Sequence, residues 1–372
     1  MNTLETFNEI AMTLENPYLD DWKKKGGSVV GYACIAFPRE IAEAGNVLPF
    51  RLRGAGNADT STADSYLSRY NCSVCRSCLE LILKNKYEFL DGYIRVRGCD
   101  HWMGTFDEIL HAKKPEFMHY FKVPHLVNKD TLSFFESEMR KLKEVLEKQF
   151  KVEIGEDDVV EQIKLQDKIN KTLKKFYRKR FSSKPELNGS DAIAVIVSKD
   201  SLPSAVFYSL LLEAMKEKRD IDYRARVLLS GCPMDEIQLI REMERVGALI
   251  VSETTCFGAG SFWNMTEYDG GDAYEFLARK YLENLRVCAR MFGEYEFRKN
   301  FVKRMAEEAR VDGVILQHNK FCDLFGIENA KLRMDLEKEG IPVLVLEKEY
   351  ASMADLGRIK TRIQAFIERL GK

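Results

Sequence analysis

Short apolar runs of strand length alternate with longer segments of helical spacing along nearly the whole chain, and this alternation constrains the fold more than any other feature. In the first half, strand-like runs are expected at residues 28–37, 47–52 and 92–96, with a weaker pattern at 117–122. Helical spacing fills 38–45, 73–86 and 102–112, with Pro38 where a first helical turn tolerates it. A polar, heptad-like stretch over 130–181, interrupted near Gly155, predicts two long helices able to clamp two halves together. The second half repeats the logic. β-Branched and aliphatic runs at 224–229, 248–251, 313–316 and 342–346 are separated by helical spacing at 235–246, 272–291, 297–309, 328–339 and 352–370. Strands alternating with helices imply βαβ units and parallel sheets. The expected fold class is α/β: two Rossmann- or flavodoxin-like parallel-sheet domains, residues 1–190 and 191–372, joined and extended by helices. The 372-residue length fits two domains of about 100–200 residues.

Charge excludes some partners. With 57 Lys+Arg against 58 Asp+Glu, nothing draws the chain toward nucleic acid or an anionic membrane. No apolar run reaches the roughly 18–20 residues of a membrane span. The N-terminus is acidic and amphipathic and lacks the basic and apolar regions of a signal peptide. A cytoplasmic protein is expected. In a reducing compartment its nine cysteines, an odd number for a disulfide framework, point to metal, redox or catalysis, with inert buried thiols as the alternative. Neither a GxGxxG nor a GxxxxGK[ST] fingerprint is present, which argues against a standard dinucleotide site and an ATPase.

Ligands of open parallel sheets bind beyond the carboxyl ends of the strands. Cys99, Cys232, Cys256 and Cys322 each follow a predicted strand, and Cys72 opens a predicted helix in YNCSVCRSC. Cys34 falls within a predicted strand; Cys75, Cys78 and Cys288 fall on predicted helices. Only CSVCRSC has the close spacing of a zinc site. An iron–sulfur cubane accepts thiolates from distant loops, because the cluster is the hub. Positions i, i+3 and i+6 of a helix drift by about 60° per step, so Cys72, Cys75 and Cys78 do not readily share one cubane; core cysteines on one helix are the alternative.

Two of the five histidines, His101 and His318, stand beside cysteine loops, able to tune a cluster or handle protons, or simply to cap backbone. Helix capping accounts for Asp100 and Asp323 without chemistry. The segment 253–263, ETTCFGAGSFW, mixes hydroxyls, glycines and aromatics after a strand. It is expected to form a substrate wall through Glu253, Thr254, Thr255, Phe257, Gly258 and Trp263, a plain turn being the alternative. The basic stretch 174–180 reads as a solvated helix face or a phosphate or partner patch.

GYACIAFPREIAEAGNVLPFRLRG, YNCSVCRSCLE, YEFLDGYIRVRGCDH, VDGVILQHNKFCDLFG and GIPVLVLEKEY, in that order, resemble the 2-hydroxyacyl-CoA dehydratase and benzoyl-CoA reductase family over nearly the whole chain. The last segments, with the C-terminal TRIQAFIERL, look most similar to the B-type subunit of benzoyl-CoA reductases. The resemblance implies two α/β domains with a [4Fe–4S] cluster held in the interdomain cleft by Cys72, Cys99 and Cys322. It also implies a homologous second subunit, an acyl-CoA substrate and a separate ATP-dependent iron–sulfur activator, in keeping with the missing nucleotide fingerprint. Cys34 and Cys256 coincide with cysteines of a third branch, the double-cubane proteins, which are homodimers. With Cys75 they bring the thiols to six, the number an [8Fe–9S] cluster needs.

The function expected first is electron transfer to an aromatic acyl-CoA, as in benzoyl-CoA reductase, in an anaerobic setting. The alternatives are an (R)-2-hydroxyacyl-CoA dehydratase subunit, a double-cubane reductase of small molecules, and a non-enzymatic bilobed binding protein.

Overall fold

Two parallel sheets carry the chain. In the computed structural model, which describes residues 2–351 and 353–371, β1 (Ser28–Tyr32), β2 (Val47–Arg51), β3 (Gly92–Val96) and β4 (Met118–Phe121) pair in the order β2-β1-β3-β4. A second sheet, β6-β5-β7-β8, is built from β5 (Ala225–Gly231), β6 (Ala248–Glu253), β7 (Gly313–Asn319) and β8 (Val343–Lys348). Every pairing is parallel. β2, β5 and β6 are buried at every position, which is why they read as unbroken apolar runs rather than alternating ones. In both sheets the order reverses beside the first strand, between β1 and β3 and between β5 and β7. These are the topological switch points where such sheets bind ligands. The expected α/β class with two Rossmann- or flavodoxin-like sheets is what the chain adopts.

Helices α2 (Pro17–Lys24), α3 (Arg39–Ala44), α4 (Ser73–Leu83), α5 (Asp100–Lys113) and α6 (Lys129–Phe150) accompany the first sheet; α10 (Ile237–Arg245), α12 (Tyr295–Glu308), α13 (Asp323–Lys338) and α14 (Met353–Arg369) accompany the second. α7 (Glu156–Arg178) places Val159 and Ile163 in the first-sheet core, and Ile169, Leu173 and Phe176 in the second. α1 (Thr3–Met12) packs Leu4, Phe7 and Ile10 against α8 (Gly189–Lys199) and α9 (Ser204–Ala214), whereas α11 (Ala273–Glu283) returns to the first-sheet core. Of these, α8 and α9 pack in the second-sheet cores, and α1, α7 and α11 connect the halves. The two long helices expected over 130–181 thus form, but of the two only α7 bridges the halves; α6 packs in the first-sheet core alone. Among the described residues, no helix is long and apolar enough to cross a membrane.

Four expectations change. β1 stops at Tyr32, not at 37, because the Phe37 N–H turns back to the Cys34 carbonyl at 3.2 Å; Cys34 therefore lies past the strand end. α11 ends at Glu283, so Cys288 lies in a loop and not on a helix. α8 and α9 fill a stretch with no predicted element, since a helix buried all round, as α8 is, carries no amphipathic period. His318 lies on β7, because the second-sheet strands run on through buried polar residues such as Gln317 and Asn319. Of the predicted elements and domain ends, Met1, Ser352 and Lys372 lie outside the described residues.

Candidate functional site

Three helices begin on a cysteine. Cys72, Cys99 and Cys322 occupy the N-cap positions of α4, α5 and α13, two from the first half and one from the second. Helix N-termini favour negative charge. The amide of the third helical residue, Cys75, Trp102 and Phe325 respectively, favours the thiolate in each case. A hydrogen bond from Cys75 does most to bring Cys72 down to about 7. Burial pushes Cys99 well above its usual range, helped by the neighbouring Cys72, Cys288 and Cys322. Cys322 is pushed up by its hydrogen bond with Cys232 and by burial, with Cys72 adding to the effect. The three thiols expected as ligands therefore lie near enough to act on one another's charge.

Beside them lies a second set. Cys256, after β6, and Cys34, after β1, neighbour Cys288, whose thiol burial raises to about 12. The Arg51 guanidinium, at the end of β2, donates to Cys256 Sγ at 2.9 Å and to the Cys256 carbonyl at 2.8 Å, and stacks 3.7 Å from the Phe257 ring centroid. Asp200 accepts from it at 3.2 Å. Cys75 is buried and hydrogen-bonded to Cys72, while Cys78 is fully buried with Val74 and Tyr350. The sequence pattern assigned Cys232, Cys288 and Arg51 no role. Cys232 was nonetheless legible as a strand-end residue, and Arg51 as a charge closing an apolar strand.

The surrounding predicted residues divide. His101 Nδ1 accepts the Cys72 N–H at 2.6 Å, which leaves its proton on Nε2, 3.7 Å from Asp323 across the cleft. His318 turns instead to Glu347 on β8, at 3.3 Å. In the predicted wall, Glu253 is fully buried and paired with Arg180 at 2.8 Å, Thr254 bonds Ser230 at 2.8 Å, and Gly258 packs on the Glu253 side chain. Trp263 stacks near Phe181 and Phe262 in the second core, and Thr255 Oγ1 is buried without a partner. Phe257, beneath Arg51, is the wall residue beside the thiols. The basic stretch 174–180 is largely committed: Phe176, Tyr177 and Arg180 are buried, and Lys179 bonds the carbonyls of Met215 and Glu217.

Among the described residues, no group of three or more His, Cys, Asp or Glu side chains is spaced to hold a single metal ion. A cluster places different demands on its donors, because it bridges thiolates from separate loops. The soft donor set fits it: three N-cap thiols, each at the positive end of a helix, converging from both halves.

The family model described as 2-hydroxyglutaryl-CoA dehydratase, D-component, matches residues 34–370. The candidate dehydratase subunit YjiM of Escherichia coli (strain K12) is 26% identical, covering 94% of this chain and 93% of its own. The (R)-phenyllactyl-CoA dehydratase beta subunit of Clostridium sporogenes is 23% identical over 99% of this chain and 100% of its own. The C-type subunit of benzoyl-CoA reductase from Thauera aromatica is 24% identical over 87% and 86%. The reductase relative is thus of the C type, and particular closeness to a B-type subunit is not seen. With 337 of its residues matched end to end by one model, the chain belongs to the 2-hydroxyglutaryl-CoA dehydratase D-component family, within the wider group of acyl-CoA dehydratases and benzoyl-CoA reductases.

Proposed function

We propose that this chain is the beta-type subunit of an (R)-2-hydroxyacyl-CoA dehydratase, working with a homologous subunit and an ATP-dependent activator. The observation that carries this reading is the trio of N-cap cysteines meeting across two switch-point sheets, in a chain matched along its length by a dehydratase-component model. Dehydratase names outnumber the reductase name among the relatives, which moves the reading away from aromatic ring reduction. Cys72, Cys99 and Cys322 would hold a [4Fe–4S] cluster. Bound there, such a cluster would supply low-potential electron chemistry to an acyl thioester. The chain's own groups do the rest. Helix ends α4, α5 and α13 offset the negative charge of the site, His101 fixes the Cys72 backbone and offers an Nε2 proton toward the cleft, and Phe257 with Arg51 closes one side.

Protein purified without oxygen should carry about four irons per chain and absorb broadly at about 400 nm, and Cys99→Ser should remove both. Dehydration of a 2-hydroxyacyl-CoA should require the partner subunit and the activator. Iron-free, colourless protein would overturn the reading. A second reading, the double cubane, draws on Cys34 and Cys256, with Cys288, which neighbours both and Cys99, in place of the expected Cys75. It requires about eight irons per chain and a homodimer.

A further inference from the structure

Eight arginines are buried among the described residues, and seven have a carboxylate or several oxygen acceptors, although the Nε of Arg53 and of Arg180 lacks a partner, as that of Arg290 does. Arg39, Arg51, Arg76, Arg180 and Arg298 pair with carboxylates. Arg53 and Arg226 spend their donors on hydroxyl and carbonyl oxygens. Arg290 differs. It is 5% exposed, its Nη1 reaches only the Pro124 carbonyl at 3.4 Å, and its Nε is buried with no acceptor. A guanidinium has five N–H donors and stays charged, so burying it unanswered is costly. Natural structures rarely leave such a group dry without a reason.

Its position supplies the reason. Arg290 follows α11 in the loop that docks on the segment after β4, where the Phe292 N–H meets the His125 carbonyl at 2.9 Å. That places it over the carboxyl edge of the first sheet. Its charge acts on Cys288, which neighbours Cys99, and on His125, whose Nε2 is also buried without a partner. Arg97, exposed after β3, acts on the same histidine, and Asp100 is the acidic group that opposes it. At 5% exposure Arg290 offers little to a partner subunit.

We propose that Arg290 binds an oxyanion of the acyl-CoA, either a carboxylate on the acyl chain or a phosphate of the CoA carrier, and so positions the thioester at the Cys99 edge of the cleft. This rests on the acyl-CoA reading above. The planar fork of arginine suits both oxyanions, and a buried two-pronged contact orients its ligand as well as holding it.

The test measures equilibrium binding of succinyl-CoA, butyryl-CoA and S-butyryl-pantetheine to the anaerobically purified protein and to Arg290→Met. If the acyl carboxylate is the ligand, the wild type prefers succinyl-CoA over butyryl-CoA and Arg290→Met erases that preference, a loss of about 10- to 100-fold. If the phosphate is the ligand, Arg290→Met weakens both CoA esters by a similar factor and leaves the phosphate-free S-butyryl-pantetheine unchanged. Equal effects on all three ligands, or none, overturn the proposal, as does a changed cluster spectrum with unchanged affinities. Should Arg290→Met fail to fold, the same affinities measured on Arg290→Lys decide, because lysine keeps the charge and loses the fork. A wild-type protein that binds none of the three overturns the acyl-CoA reading and this site with it; binding without selective loss overturns the site alone.

Discussion

Glu253 shows how one residue's role turns on where its strand ends. In sequence it opens a run of hydroxyls, glycines and aromatics that looks like the lining of a pocket. In the structure β6 extends to include it, and its carboxylate meets Arg180, both fully buried, with Arg180 also donating to the Ile250 carbonyl at 3.0 Å. Removing one member of such a pair leaves a bare buried charge. Glu253→Gln should therefore cost about 3–5 kcal/mol of stability, read from urea unfolding, while acyl-CoA affinity of the folded fraction stays unchanged. A variant of normal stability and altered affinity would return Glu253 to the substrate wall. At this scale the sequence was informative about thiols and poor about charges. Cysteines after strands were visible because chain position alone puts them at a sheet edge. The ionic partners of Arg51 and Arg180 lie 149 and 73 residues away along the chain, and no local pattern encodes them. Arg290 meets only a carbonyl 166 residues away, which is no more visible in the sequence.

Among the elements, the alternation of strands and helices was legible almost throughout, because parallel strands and amphipathic helices leave different periods. It failed where the periods vanish. α8 is buried at every position, so its apolar run 192–197 has no helical stripe to detect. Its start also holds an unusual cap: Glu244 of α10 accepts the N–H groups of Gly189 and Ser190, at 2.6 and 3.2 Å. Burial raises the Glu244 carboxyl to about 7 despite those bonds. Because the folded-state value lies above the unfolded one, the carboxyl costs nothing in acid, and stability is lost as pH climbs from about 4.5 to about 7. Relative to Glu244→Gln, the wild type should lose roughly 3 kcal/mol across that window, measured by urea midpoints at matched pH values. A flat difference would mean that Glu244 ionises normally. β5 offers a second test. Gly231 closes the strand with φ +126°, and a Cβ there would run into the Gln317 carbonyl oxygen of β7. The loops that follow these two strands carry Cys232 and Cys322. Gly231→Ala should thus lower stability by about 1–3 kcal/mol and reduce bound iron, whereas the exposed Gly270→Ala should leave iron content unchanged.

The molecule as a whole is held closed by charges that cross between its halves. Asp200, after α8, takes Arg51 from β2 at 3.2 Å and lies 3.7 Å from Arg39 of α3, with Lys199 at 3.4 Å. Arg39 continues the connection to the carbonyls of Lys199 and Leu202 at 2.8 and 3.0 Å. Burial works against ionising Asp200, yet Lys199, Arg51 and Arg39 hold its carboxyl below the usual range. The same segment aligns β2, since the Arg51 N–H bonds the Asp200 carbonyl at 2.9 Å. Together with α1, α7 and α11 this makes the two sheets one cooperative unit, and the thiols they carry keep their spacing only while that unit holds. Unfolding should then appear as a single transition. Trp22, which donates to the Ser28 carbonyl beside the first sheet, and Trp263, packed in the second core, provide separate reporters in single-tryptophan variants. Their urea transitions should coincide. Asp200→Asn takes from Arg51 and Lys199 their carboxylate while Arg39 keeps Glu43, which should cost about 3–5 kcal/mol and move the Trp22 transition to lower urea than that of Trp263. Transitions that remain superimposed at an unchanged midpoint would show that the helices alone couple the halves, and that the charged joint contributes nothing to holding the cleft in register.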